Sequence, residues 1–305
     1  MSYDSFTLII NNSNRSGSNN NYVYSFSKGN FVVPKEAEIM LTSAQVPYSM
    51  FNITSLYGNN TFSISFPTGA LSSTYTTFNI TIPDGFYTVS SLNAYIQQTC
   101  IANGLYLIDN NNNYVYYLIL TTNITSYANQ ILALTVPLTL PSGYTQPTNW
   151  IGYSTYSSVR TPYITIPNNN TFGVFLGFTA ANYPPSLQTT SYSINSNQMP
   201  PVGSNVNSII MRCSLINNSV TFPSDILDSF PITNVSFGSN ISFSNNIEKW
   251  IKLTPGSYSS FSLTLVDQNL NNLVMNDPNI LITLLISLKN KLKIFSVYNI
   301  YNYAL

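Results

Sequence analysis

Side chains able to do chemistry are few in this sequence, and their spacing favours none of the common mechanisms. The 305 residues contain no histidine. That removes the usual general base, the commonest metal ligand and every triad built on imidazole. Among the sparse acids, Asp225 and Asp228 stand close together. Two carboxylates can share acid–base work. On a short helical turn over 224–229, however, one caps and the other is solvated, and that reading is favoured because capping acids are common. Asp267 and Asp277 bracket a late link where calcium is conceivable. Their spacing fits no EF-hand loop, so turn acids are the favoured reading. Cys100 and Cys213 are too few for a disulfide framework and too far apart for a zinc pattern, which fits a reducing compartment. No phosphate-binding or dinucleotide loop occurs. The sequence therefore predicts no catalytic, cofactor-binding or metal-ligating residue, no cofactor, and no enzyme.

Two aromatic groups remain. Tyr144, Trp150, Tyr153, Tyr156 and Tyr163 crowd the loop 143–163. They suit stacking on sugars or bases, anchoring at an interface, or local packing. The tail 289–305 carries Lys289, Lys291 and Lys293, then Phe295, Tyr298, Tyr301 and Tyr303, and no acid follows Asp277. It reads either as an arm touching neighbouring subunits or a DNA backbone, or as a solvated end with packed aromatics. Three lysines are few for phosphate binding by one copy, though several copies would add up.

Composition narrows the class. Hydrophobic residues make up 44% of the chain, enough for a core, while charged residues are only 7%, against a usual quarter. Net charge is zero, which argues against a general nucleic-acid binder. Charge repulsion will do little to keep copies apart. The N-terminal MSYDSFTLII has neither a charged leader nor a long apolar segment, so no signal peptide is expected. No apolar run reaches membrane-spanning length.

These residues need a scaffold, and periodicity supplies one. Phe6, Leu8 and Ile10 recur at every second position, as do Tyr22, Tyr24 and Phe26, then Ala37, Ile39 and Leu41 with Glu36 and Glu38 toward water, closed by Pro47. Phe62, Ile64 and Phe66 follow, then Phe78, Ile80 and Ile82. This is the period of strands with one wet face. After Pro83-Asp84-Gly85 the period changes: Val89, Leu92, Ile96 and Cys100 predict a helix, started by Thr88 or Ser90 and stopped at Gly104. A hairpin follows over 105–121, then an edge strand over 132–140 containing Pro137. Strands resume at 208–217, 233–237, 240–244 and 249–253. Late in the chain Phe261, Leu263 and Leu265 alternate with Ser262 and Thr264. The run Ile280–Ile286 is apolar on both parities, which predicts cover on both faces. One cover is a core; the other is an inserted domain or a neighbouring subunit. Roughly eight main strands lie outside the helix-bearing segment, about half before and half after it, which suits a jelly roll.

The motifs ITIPDGFYTVSSLNAYIQ (80–97) and FLGF (175–178) resemble the insertion unit of the penton, or minor capsid, proteins of virophages and polinton-like viruses. VPYSMFNI (46–53), SIIMRCSLINN (208–218) and FSLTLVDQNLNNLVMNDPNILITLLI (261–286) also resemble that family, in the same order. The resemblance implies a mainly β protein: a single jelly-roll sandwich with an inserted small α+β domain. Residues 1–83 and 200–288 would form the roll, 84–199 the insertion, and 289–305 a C-terminal arm. It further implies a structural virion protein, assembled in the host cytoplasm as a homopentamer at the fivefold vertices of an icosahedral capsid. Expected partners are its own copies, the major capsid protein, and minor cement proteins or packaged DNA through the arm. The alternative is a β-sandwich carbohydrate- or receptor-binding head with Trp150 as the stacking platform. A hydrolase on a β scaffold is the weakest reading.

Overall fold

Strands form where the sequence alternates, but their partners lie far along the chain. The computed structural model describes residues 5–17, 20–68, 74–152, 158–168, 171–198, 200 and 206–288. The front of the chain supplies β1 (Ser5–Asn11), β2 (Asn21–Ser25), β3 (Phe31–Val33) and β4 (Glu38–Pro47). The middle supplies β5 (Thr61–Pro67), β6 (Tyr75–Thr81), α1 (Val89–Ala102), β7 (Tyr106–Ile108), β8 (Tyr114–Tyr116), β9 (Leu118–Asn123), β10 (Ala128–Ala133), β11 (Tyr163–Ile166), α2 (Phe172–Leu176), β12 (Ala181–Tyr183) and β13 (Tyr192–Asn195). The back supplies β14 (Ser208–Cys213), β15 (Ile226–Pro231), β16 (Asn240–Ser244), β17 (Ile251–Lys252), β18 (Gly256–Tyr258), β19 (Ser260–Val266) and β20 (Leu281–Ser287). Two compact units result: Met1–Met50 with Val206–Leu305, and Phe51–Asn205.

In the first unit, one sheet runs β1-β20-β4-β16 and another β15-β14-β19-β2, all antiparallel. Among these eight strands counted along the chain, first pairs with eighth, second with seventh, third with sixth and fourth with fifth. That is one long antiparallel ribbon doubled back on itself. The bonds of β20 to β4 and of β19 to β14 then wrap the ribbon into two sheets. The outcome is a jelly roll, and the second unit interrupts it between its third and fourth strands.

The two sheets bury the alternating residues. Leu8, Ile10, Ile39, Leu41, Ile282, Leu284 and Ile286 are buried from one; Ile209, Met211, Cys213, Phe261, Leu263 and Leu265 from the other. Each such side chain contributes roughly 1.5–3 kcal/mol. Aromatic contacts link the sheets. Phe230 of β15 stacks on Phe243 of β16, centroids 5.0 Å apart. Phe6 of β1 meets Phe31 at 5.4 Å, and Phe31 meets Phe26, which meets Phe261 of β19.

β4 shows how a strand can change parity without exposing its core. Ile39 and Leu41 are buried, and so are Ala44 and Val46. The register against β20 skips Thr42: Leu41 faces Leu284 and Ser43 faces Thr283. That bulge returns Ala44 to the inner face. Asn245 occupies the freed carbonyls, its backbone N–H donating to Thr42 O at 3.0 Å and its amide to Leu41 O at 3.3 Å.

The second unit is the expected α+β insertion. Its sheets run β12-β11-β5-β6 and β13-β10-β9. α1 begins where predicted, with Thr88 and Ser91 in a reciprocal capping box, and buries Leu92, Ile96 and Cys100. These pack into one core with Phe62, Ile64, Phe66, Ile80 and Ile82. Phe62 stacks on Phe172 at 4.8 Å.

Several expectations change. The roll was expected to keep residues up to 83 and from 200. Yet β5 bonds to β6 and β11, so the strands over 61–81 belong to the second unit. The roll draws three of its eight strands from the front and five from the back. Most of the helical turn expected over 224–229 is instead strand β15, because Leu227 and Phe230 are buried in the core and Ile226, Asp228, Ser229 and Phe230 pair along β14. No strand forms over 233–237. The strand expected over 132–140 stops at Ala133 and sits between β9 and β13, with Pro137 beyond it. FGVFL forms the short helix α2, ended by Gly177 at φ +78°, a conformation that suits glycine. The arm 289–305 lies outside the described residues.

Leu284→Ala, at a fully buried site in β20, is expected to destabilise the roll by about 2–5 kcal/mol. Urea unfolding followed by fluorescence measures it, and a loss under 1 kcal/mol would contradict the central position of β20.

Candidate functional site

Each carboxylate singled out by the sequence has a structural partner. Asp225 accepts two hydrogen bonds from Arg212 Nε, at 2.9 and 3.1 Å. Asp228 is buried, with 4% of its side chain exposed, and accepts from Lys249 Nζ at 2.6 Å and from the Ser229 N–H at 2.9 Å. The two acids thus serve separate ion pairs. Asp267 Oδ1 accepts the N–H groups of Asn269 and Asn271, both at 2.8 Å, and Oδ2 accepts from the Asn271 amide at 3.1 Å. Both of its oxygens hold this turn. Asp277 accepts the Asn279 N–H at 3.0 Å. Among the described residues no group of three or more His, Cys, Asp or Glu side chains gathers.

Asp109 repeats the Asp267 turn. Its Oδ1 accepts the N–H groups of Asn111 and Asn113 at 2.8 Å, and its Oδ2 the Asn113 amide at 3.1 Å. Both turns read D-x-N-x-N, and both put the fourth residue in the left-handed region: Asn112 at φ 63° and Leu270 at φ 66°. Donation from the Asn113 backbone and side chain holds the Asp109 carboxyl below its ordinary range.

Cys100 and Cys213 are buried and free. Burial pushes each thiol up to about 12, so neither is a nucleophile at neutral pH. Trp150 packs edge-on to Phe66 at 6.0 Å and against Tyr117 at 6.1 Å. It is partly buried and packs against the second unit's core rather than standing as an open stacking platform. Tyr144 packs on the same core, and Tyr163 pairs with Tyr75 at 5.1 Å. Tyr153 and Tyr156, with the tail residues Lys289, Lys291, Lys293, Phe295, Tyr298, Tyr301 and Tyr303, lie outside the described residues.

Two surfaces emerge, the first anticipated by the run Ile280–Ile286 and the second not marked in the sequence. The first is the outer face of the sheet β1-β20-β4-β16. Its cross-strand rows are Asn11–Leu281–Gln45–Ser242, then Ile9–Thr283–Ser43–Ser244, then Thr7–Leu285–Met40. No charge enters these rows; Glu38 lies past their end, opposite Ser287. Leu281 is 43% exposed and Ile9 55%. The run Ile280–Ile286 was expected to be covered on both faces, yet in the single chain this outer parity is open. On the same unit Val220 and Phe222 are 89% and 96% exposed.

The second surface is a groove of about 590 Å³ within the inserted unit. Tyr87 and the first turn of α1 form one wall, and β9 with the β9–β10 hairpin forms another. Phe175 and Pro200 also line it. Asn93 Oδ1 accepts the Leu120 N–H at 2.8 Å, and the Asn129 amide donates to Leu176 O at 3.0 Å, fixing the walls. Nothing in the sequence pattern marks Tyr127, which closes the hairpin at φ 49° and is 52% exposed.

No protein-family model and no curated protein matches the chain. Among solved structures, the chain is similar to the mavirus penton protein, over 94% of this chain and 99% of that one, at 10% identity and a TM-score of 0.42. It is also similar to a chain from the cryo-EM structure of the Sputnik virophage, over 93% and 97%, at 15% identity and a TM-score of 0.39. Likeness at this level assigns no activity and no residue role.

Lys249→Met leaves the buried Asp228 carboxylate without its cation. It is expected to cost about 1–3 kcal/mol, below the value for a wholly buried pair because the lysine head is half exposed. Chemical denaturation checks this. The Asp109 carboxylate supports its hairpin above the ordinary acid range, and that support is lost as pH falls through its lowered pKa. A ¹³C carboxyl titration should place its midpoint under 3.8; a midpoint at or above it would remove the turn's charge-assisted bonds.

Proposed function

We propose that the chain is a structural virion protein: a penton whose five copies close a ring at each fivefold vertex of an icosahedral capsid. The observation that carries this reading is the outer face of β1-β20-β4-β16. Its rows set Ile9, Leu281, Leu285 and Met40 among uncharged Asn, Gln, Ser and Thr residues, and it is open in one copy. A face with exposed apolar residues and no charges suits burial against another protein, because interface centres are poor in charged residues. With ten acids and ten bases in the whole chain, little repulsion opposes self-association. Heterologous side contacts repeated about one axis close a ring, and Phe222, standing clear on its loop, is suited to anchor in a neighbour. The jelly roll, interrupted by an insertion and built from segments resembling virophage penton proteins, fits the same role.

The remaining parts of the reading follow from it. The virion is the destination and the host cytoplasm the place of assembly. The major capsid protein surrounds the ring. Minor cement proteins or packaged DNA are the partners left for the arm 289–305. The protein acts by packing rather than by chemistry. The sugar-binding head with a Trp150 platform is less well supported, since that indole is packed on Phe66 and Tyr117.

Quantitative protein analysis of purified particles should find about sixty copies per shell, five at each of twelve vertices. A copy number matching the many hundreds of a major shell protein, or absence from particles, would defeat the proposal. In solution the wild-type chain should sediment at five times its 33.9 kDa mass. Leu281→Lys and Phe222→Ser should return it to monomer while changing unfolding free energy by about 1 kcal/mol or less, as expected for exposed sites.

A further inference from the structure

We propose that the groove in the inserted unit is a binding site for a neutral saccharide. Its volume, about 590 Å³, lies in the range of small-ligand sites. Among the described residues no Asp, Glu, Lys or Arg lines it. A sialylated, sulfated or phosphorylated ligand would lose hydration there and find no counter-charge. The lining is mostly apolar, with Val89, Ile119 and Ile124 beside the aromatic rings of Tyr87, Tyr127 and Phe175, and it also carries the hydroxyls of Ser90, Thr121 and Thr122. A sugar offers apolar C–H faces and a ring of hydroxyls, and it needs both kinds of partner.

The polar groups divide by use. Asn93 Oδ1 and the Asn129 amide N–H are used in holding the walls. The hydroxyls of Ser90, Thr121 and Thr122 make no side-chain hydrogen bond with another described residue and remain available to a ligand. A fatty chain would bury these hydroxyls unpaired. An added peptide strand fits less well too, because the Leu120 N–H already donates to Asn93 Oδ1. Tyr127 adds an independent observation. It holds a left-handed conformation at φ 49°, where glycine or asparagine would sit without strain. Bulky residues kept in that region cluster at functional sites. Here the strain presents an aromatic ring, half exposed, at the groove.

The test uses the full chain and saturation-transfer NMR. The probes are the methyl glycosides of glucose, galactose, mannose and N-acetylglucosamine, with 3′-sialyllactose, laurate and a synthetic 289–305 peptide as counter-probes. At least one neutral glycoside should bind with a Kd of about 1 mM or tighter. Tyr127→Gly should weaken it about tenfold or more without lowering Tm, since glycine relieves the left-handed strain. Thr122→Val should weaken it as well. The proposal fails if no neutral glycoside binds at about 50 mM, far above that Kd. It fails equally if Tyr127→Gly binds like the parent, or if laurate, the peptide or sialyllactose is preferred. None of these readouts depends on the oligomeric state, so they stand apart from the test of the vertex role.

Discussion

The pairing of β20 with both β1 and β4 is the constraint on which the roll depends. Residues 281–287 must arrive between strands made near the start of the chain before either neighbour has its full set of hydrogen bonds. Until then β1 and β4 are unclosed edges. Such long-range closure slows folding, yet it tolerates insertions well, because closure entropy grows only with the logarithm of loop length. A unit the size of residues 51–205 can therefore sit between β4 and β14 at modest cost, provided it folds on a core of its own. It does: Phe62, Leu92, Ile96 and Phe172 belong to one buried cluster.

The unusual composition follows from how the loops are held. Charged side chains are scarce, and asparagine, serine, threonine and a few aspartates serve as local hydrogen-bonding groups. The D-x-N-x-N turns at Asp109 and Asp267 place the same bonds in two separate units. Asn245 fills the carbonyls freed by the Thr42 bulge. Loops that satisfy themselves need few salt bridges. What remains outside is polar but neutral, a surface open to close contact with other neutral surfaces.

The proposed roles use this neutrality in two ways. On the roll, a broad face without charge can meet another protein without desolvating ions. In the insertion, a groove without charge selects against ionic ligands and leaves hydroxyls and aromatic rings to do the recognising. The scarcity of ionisable groups thus suits both proposed roles, association and neutral-ligand binding.

Local signals were legible in the sequence, and contacts between distant strands were not. α1 could be read almost to the residue because its cap, its apolar spacing and its stop all lie within one short segment. The alternating strands were likewise visible, since burial on one face imposes period two whatever the partner. That same indifference to the partner is why β5 and β6 were assigned to the wrong unit: Phe62, Ile64 and Phe66 alternate identically whether they pair with β11 or with a strand of the roll. Only tertiary structure showed that Asp225 and Asp228 serve separate ion pairs, that Trp150 packs against the core, and that a bulge keeps Ala44 inward. The left-handed Tyr127 was likewise invisible in the pattern. Periodicity records how many faces of a strand meet apolar surroundings, while hydrogen-bond partners and backbone strain are set by residues distant in the chain.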